Sequence, residues 1–179
     1  MKRILFTIAA MMVATMAFAG TASKTSDMTP QQAMATMGSC PVCSVWMTEP
    51  ALGPNIRHSV FATKSGYVET LMTADQSTMP AFEKCAAECE KRAATIPTMA
   101  KDQKDKLCPL CSGQMAFMSR TDVTVETFKT EMGLLSVASA TTPDGVKALH
   151  EYARTSEEFG RLLSKAGAEM SKEPMKSKM

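Results

Sequence analysis

One short cysteine motif occurs twice in this chain, and that constrains the fold more than any other feature. Cys40-Pro41-Val42-Cys43 and Cys108-Pro109-Leu110-Cys111 lie 68 residues apart, each is followed by a serine, and Met47 and Met115 stand four residues past the second cysteine. The likeness continues on both sides. Thr29-Pro30 and Ile96-Pro97 open short polar, helix-compatible stretches at an offset of 67, and Phe61, Thr63 and Gly66 match Phe128, Thr130 and Gly133 at the same offset. Ala81-Phe82 and Ala148-Leu149 follow suit. One single-residue insertion and one deletion reconcile the two offsets. The pattern predicts two copies of one unit, over 29–95 and 96–163. A twofold array is too short for a solenoid, so a pseudo-symmetric pair sharing a core is expected.

Each copy has the same internal order. An alternating segment follows the cysteine motif (Ile56 to Ala62, or Val123 to Lys129). A turn bearing Gly66 or Gly133 comes next, and then a second strand-like run, Tyr67 to Thr73 or Leu134 to Ala138. Alternation around a glycine turn signals a β-hairpin. A helix should follow, opened by Pro80 in the first copy and by Thr142-Pro143 in the second. Phe82, Cys85, Ala86, Cys89 and Ala93 share one face of the first helix, and Val146, Leu149 and Ala153 share one face of the second. The expected class is α+β: two tandem ββα units, each preceded by a Cys-Pro-x-Cys knuckle and packed as a pseudo-symmetric pair. Residues 20–28 and 164–179 read as flexible tails.

The compartment is read from the first residues. Lys2 and Arg3 precede an uncharged run from Ile4 to Phe18, and Ala17-Phe18-Ala19 places small residues where a signal peptidase cuts. That run is shorter than the ~20 residues needed to span a bilayer, so 1–19 reads as a secretory signal peptide. The mature protein is expected to be periplasmic or secreted. The whole chain carries 20 Lys+Arg against 18 Asp+Glu. Losing Lys2 and Arg3 brings the formal charge to zero, which gives nucleic acid or an anionic membrane no electrostatic hold.

All six cysteines lie beyond the signal, in three close pairs: Cys40/Cys43, Cys85/Cys89 and Cys108/Cys111. Export allows disulfides. Closing a Cys-x-x-Cys loop stabilises by only ~2 kcal/mol, whereas linking residues ~50 apart gives ~4 kcal/mol, so structural bridges would favour long-range pairings. Cysteines 85 and 89, one helical turn apart, point toward a common neighbour and are poorly placed to bond each other. Two cysteine pairs brought together would instead supply the four thiolates of a tetrahedral soft-metal site. The chain holds 17 methionines. Met47, Met115 and Met118 continue the sulfur spacing beyond the two motifs, and thioethers select copper(I) over zinc. The expected ligands are Cys85 and Cys89 together with one knuckle, Cys40 and Cys43 first and Cys108 and Cys111 second, assisted by methionines. His58, in a predicted strand, is an additional candidate.

A knuckle followed by a hairpin and a helix with two more sulfurs resembles treble-clef-like metal-binding units. The doubled arrangement, carried by Cys40, Cys43, Met47, Cys85 and Cys89 in one copy and Cys108, Cys111 and Met115 in the other, is similar to the NosL-type copper accessory proteins of nitrous oxide reductase and to YHS-type domains. That resemblance implies copper delivery in an exported compartment.

The resulting expectation is an exported Cys/Met-rich protein that binds a soft metal, copper before zinc, without enzymatic turnover and with an exported protein as a further partner. A disulfide-stapled structural or interaction protein is the alternative. A thiol–disulfide oxidoreductase comes third, because Pro50 and Pro54 preclude the long helix that such a site needs after Cys43. Ser44 and Ser112, where a histidine would have to stand, rule out covalent haem attachment. No phosphate loop or Gly-x-Ser-x-Gly nucleophile turn is present. Trp46, the only tryptophan, reads as a core anchor.

Overall fold

The computed structural model describes residues 25–53 and 55–170. The expected signal peptide, 1–19, lies outside the described residues, as do 20–24 and 171–179.

Helix α1 (Pro30–Ser39) opens on a capping box: the Thr29 hydroxyl accepts from the Gln32 amide at 3.2 Å, and the Gln32 side chain accepts from the Thr29 amide at 2.8 Å. Pro30 supplies a first residue that needs no amide partner. A 3-10 turn (Cys43–Thr48) follows, then the hairpin β1 (Ile56–Thr63) and β2 (Gly66–Thr73), then helix α2 (Met79–Ala93). A short helix α3 (Lys101–Lys104) leads to α4 (Pro109–Met118). The second hairpin, β3 (Val123–Thr130) and β4 (Gly133–Ala140), and the 28-residue helix α5 (Pro143–Met170) complete the described chain. The class is α+β, as expected, and both hairpins fall where alternation around Gly66 and Gly133 places them.

The four strands form one antiparallel sheet in the order β1-β2-β4-β3. The hairpins meet along β2 and β4, with Val68 opposite Val137 at the middle of the ladder. Gly66 and Gly133 open these two strands where the backbones crowd. A Cβ at Gly66 would collide with the Ala138 carbonyl. At Gly133, whose φ is 151°, it would collide with the Leu71 carbonyl and the Met72 Cα.

Both long helices lie on one side of the sheet. Leu149, Tyr152 and Ala153 of α5 pack with Val60, Tyr67, Ala138 and Ala140 of the strands and with Phe117 of α4. Tyr67, Phe117 and Tyr152 form an aromatic cluster with ring centroids 5.0–6.2 Å apart. Phe82 of α2 packs with Val45, Leu52 and Cys85, and its ring lies 5.4 Å from that of Trp46, which anchors core as expected. The third apolar cluster joins α1, α4 and the far half of α5: Ala33, Val42, Ile96, Phe159 and Leu162 surround Cys40, Cys43, Cys108 and Cys111.

Of the two stretches expected as tails, 25–28 and 164–170 are described. Thr25 is buried and its hydroxyl donates to the Glu158 carboxylate at 2.5 Å, which holds the start of the described chain against α5. At the other end α5 runs on through 164–170, because Phe159, Leu162 and Ala166 extend its apolar stripe at helical spacing. Among the described residues no helix is long and apolar enough to cross a membrane.

Candidate metal centre

Each Cys-Pro-x-Cys segment folds as a single turn of helix. The Ser44 amide donates to the Cys40 carbonyl and the Ser112 amide to the Cys108 carbonyl, both at 3.0 Å. Cys40 caps the C-terminus of α1 in extended conformation, and Cys108 sits extended just before Pro109, which opens α4. In both motifs the turn puts thiols three residues apart on the same side. The Cys43 amide also donates to Cys40 Sγ at 3.4 Å.

The two turns face each other directly, and Phe159 and Leu162 of α5 pack in the same cluster. Cys43 Sγ lies 3.3 Å from Cys111 Sγ and 3.6 Å from Cys108 Sγ, and Cys40 Sγ lies 3.8 Å from Cys111 Sγ. All four sulfurs are within 4.8 Å of one another. Their residues are 0–6% exposed. A tetrahedron with metal–sulfur bonds of about 2.3 Å has edges of about 3.8 Å, so the spacing suits one ion. A polynuclear iron–sulfur cluster spreads its irons and needs its ligand sulfurs further apart. No pair approaches the ~2.05 Å of a disulfide, and all six cysteines are free thiols.

Electrostatics point the same way. Hydrogen bonds with Cys108, Cys111 and Cys43 hold the Cys40 thiol far below its ordinary pKa. Cys108 is lowered too, chiefly by Cys111. Cys43 and Cys111 are pushed well up, both chiefly by Cys108. A dry pocket does not tolerate several thiolates at once without a cation to balance them.

The sequence expectation set Cys85 and Cys89 with one knuckle. The structure instead brings the two Cys-Pro-x-Cys motifs together. Cys85 is buried elsewhere, among Val45, Leu52 and Phe82, and its thiol donates to the Val45 carbonyl at 3.6 Å. Burial, then Glu49, raises its pKa. Cys89, one turn along α2, is half-buried and packs against the four-cysteine cluster. A hydrogen bond with Cys43 lowers its pKa despite desolvation. It is a fifth thiol at the edge of the centre.

Of the methionines, Met115 packs against the cluster, as does Met37. Met47 and Met118 point to solvent, 41% and 55% exposed. The segment after Cys43 is a 3-10 turn of three residues per turn, which rotates Met47 about a third of a turn away from Cys43. Met118, seven residues past Cys111, lies roughly 10 Å further along α4. His58 is no neighbour of the thiols: its Nε2 pairs with Glu69 Oε1 at 2.7 Å under α5, where Ser156 Oγ also donates to Glu69 at 3.1 Å. The one sequence signal that could have paired the two motifs is their shared pattern, Cys-Pro-x-Cys followed by serine. The Ala33, Ile96, Phe159 and Leu162 lining carried no comparable signal.

No family model matches the chain, and neither a curated protein nor a solved structure matches it.

Proposed function

We propose that this protein is an exported metal-binding protein that holds one soft ion through the thiolates of Cys40, Cys43, Cys108 and Cys111. The observation that carries the reading is the buried group of four sulfurs within 4.8 Å of one another. Zinc is the first candidate, because four thiolates without an open position are the usual setting of structural zinc. Such a closed set leaves no coordination position for a substrate, so the role is holding the ion and the fold rather than turnover. Copper(I) is the second candidate, favoured by the extra soft donors Cys89, Met37 and Met115 that pack on the cluster. The leader-like residues 1–19 support export. The matching order of hairpin and helix after each cysteine motif supports descent from a duplicated ββα unit.

With four ligands split between two distant segments, metal binding and folding should be coupled. The test is elemental analysis with thiol counting on protein isolated from the periplasm. One zinc or copper per chain with four protected thiols supports the proposal. Metal-free protein with four readily alkylated thiols, or with those cysteines joined in disulfides, overturns it in favour of a stapled structural protein.

A further inference from the structure

The four thiols of the candidate centre are shut off from solvent, at 0–6% exposed. Cys89 of α2 is a fifth, and its position differs. Along α2, Phe82 and Cys85 pack with Val45 and Leu52, whereas Cys89 and Ala93, next on the same stripe, pack against the thiol cluster. Cys89 shares a hydrogen bond with Cys43 and is half-buried. Arg92, one turn further along, donates to Ser44 Oγ at 3.3 Å and so ties this part of α2 to the residue that follows Cys43. Among the described residues Cys89 is the one thiol that combines contact with the centre and access to solvent. Met28, Met37, Met99 and Met115 also pack around the centre, but a neutral thioether does not replace a thiolate on zinc.

We propose that Cys89 is the exchange ligand of the centre, the thiol through which the ion enters and leaves; this rests on the four-thiol reading above. A tetrathiolate ion in a dry pocket has two ways to exchange. Losing a thiolate first would strand charge among Ala33, Val42, Phe159 and Leu162 without a balancing cation. Accepting a fifth sulfur first avoids that cost, because zinc can pass through five-coordination. In this step the Cys89–ion bond forms while the Cys43–ion bond breaks, and the Cys89 proton passes to the Cys43 sulfur. Charge is conserved and no electrons are transferred. Cys43 is left as a neutral thiol, which an apolar setting accepts, and the ion is now held partly from the rim. A thiol or chelating acceptor in solution then binds the ion there and draws it off.

Transfer of zinc from the loaded full mature protein to excess EDTA tests this. Cys89→Ser and Cys89→Ala should keep the wild-type zinc content and release the ion at least about 10-fold more slowly. A merely structural role predicts the opposite direction, since looser packing around the centre speeds release. Alkylating Cys89 of the wild type with iodoacetamide should slow release in the same way, and Cys85→Ser should leave the rate unchanged. Release from the Cys89 variants at or above the wild-type rate overturns the proposal while leaving the four-thiol centre intact. A Cys89→Ser protein that no longer holds zinc overturns it too, by making Cys89 a standing ligand. A wild type that takes up no zinc overturns this route, and if copper(I) uptake is also absent the centre itself falls.

Discussion

Cys43 and Cys111, 68 positions apart in the sequence, hold their Sγ atoms 3.3 Å from each other. The contact joins the 3-10 turn after α1 to the first turn of α4, so the thiols link two segments distant in the chain.

Replacing either residue by serine should therefore do two things together. Metal content should fall below half that of the wild type, and the melting temperature should drop, because the remaining three ligands no longer close the site. Elemental analysis and differential scanning calorimetry on the same sample check both. Metal loss without any change in melting temperature would separate the ion from the fold.

Cysteines 85 and 89 should differ in reactivity although they share one helix. In folded, metal-loaded protein, iodoacetamide should modify half-buried Cys89 first, whereas Cys85, 1% exposed, should react only on unfolding. Peptide mapping by mass spectrometry after a short pulse reads this directly. Cys85→Ser should leave metal content at the wild-type level while lowering stability by about 1–2 kcal/mol through the loss of a well-packed core thiol.

Gly160 of α5 leaves room for the His58 ring: a Cβ there would run into Nδ1. Gly160→Ala should push the imidazole away from Glu69 and destabilise the protein by about 1–3 kcal/mol. Combining it with His58→Ala should cost less than the sum of the two single changes, since the clash disappears with the ring. Chemical denaturation of the four proteins measures the coupling. Strict additivity would show that the two positions do not compete for space.

Much of the fold was legible in the sequence because its signals are local. Thr29-Pro30 and Thr142-Pro143 each precede a helix, and strict alternation on either side of Gly66 and Gly133 marks the hairpins. The candidate metal centre was only half legible. The Cys-x-x-Cys spacing identified two sets of ligands, but a thiol on an apolar helical stripe looks the same whether it binds an ion or fills a core. That ambiguity gave Cys85 a role the structure does not support. Met47 was misplaced for a geometric reason, because spacing rules for an α-helix do not hold in the 3-10 turn that follows Cys43.

Acid should expose the contribution of Asp122. Its carboxylate accepts two hydrogen bonds from Arg120, both at 2.9 Å, and one from the Thr142 hydroxyl, and its pKa is lowered to about 2. An aspartate whose folded pKa lies below its unfolded value of about 3.9 stabilises the protein above that value and loses the contribution as pH falls toward 2. Asp122→Asn should therefore be less stable than wild type at neutral pH, with the difference shrinking between pH about 4 and about 2. Parallel denaturation curves across that range check the sign, and a gap that stays constant would assign the cost to lost hydrogen bonds alone.

Helix α5 gives Leu149 and Tyr152 to the sheet cluster and Phe159 and Leu162 to the thiol cluster. It is also the last described element in the chain. In a chain made from its N-terminus onward, Cys40, Cys43, Cys108 and Cys111 thus all precede the helix that shields them. Until Phe159 and Leu162 pack over them, the four sulfurs lack their cover.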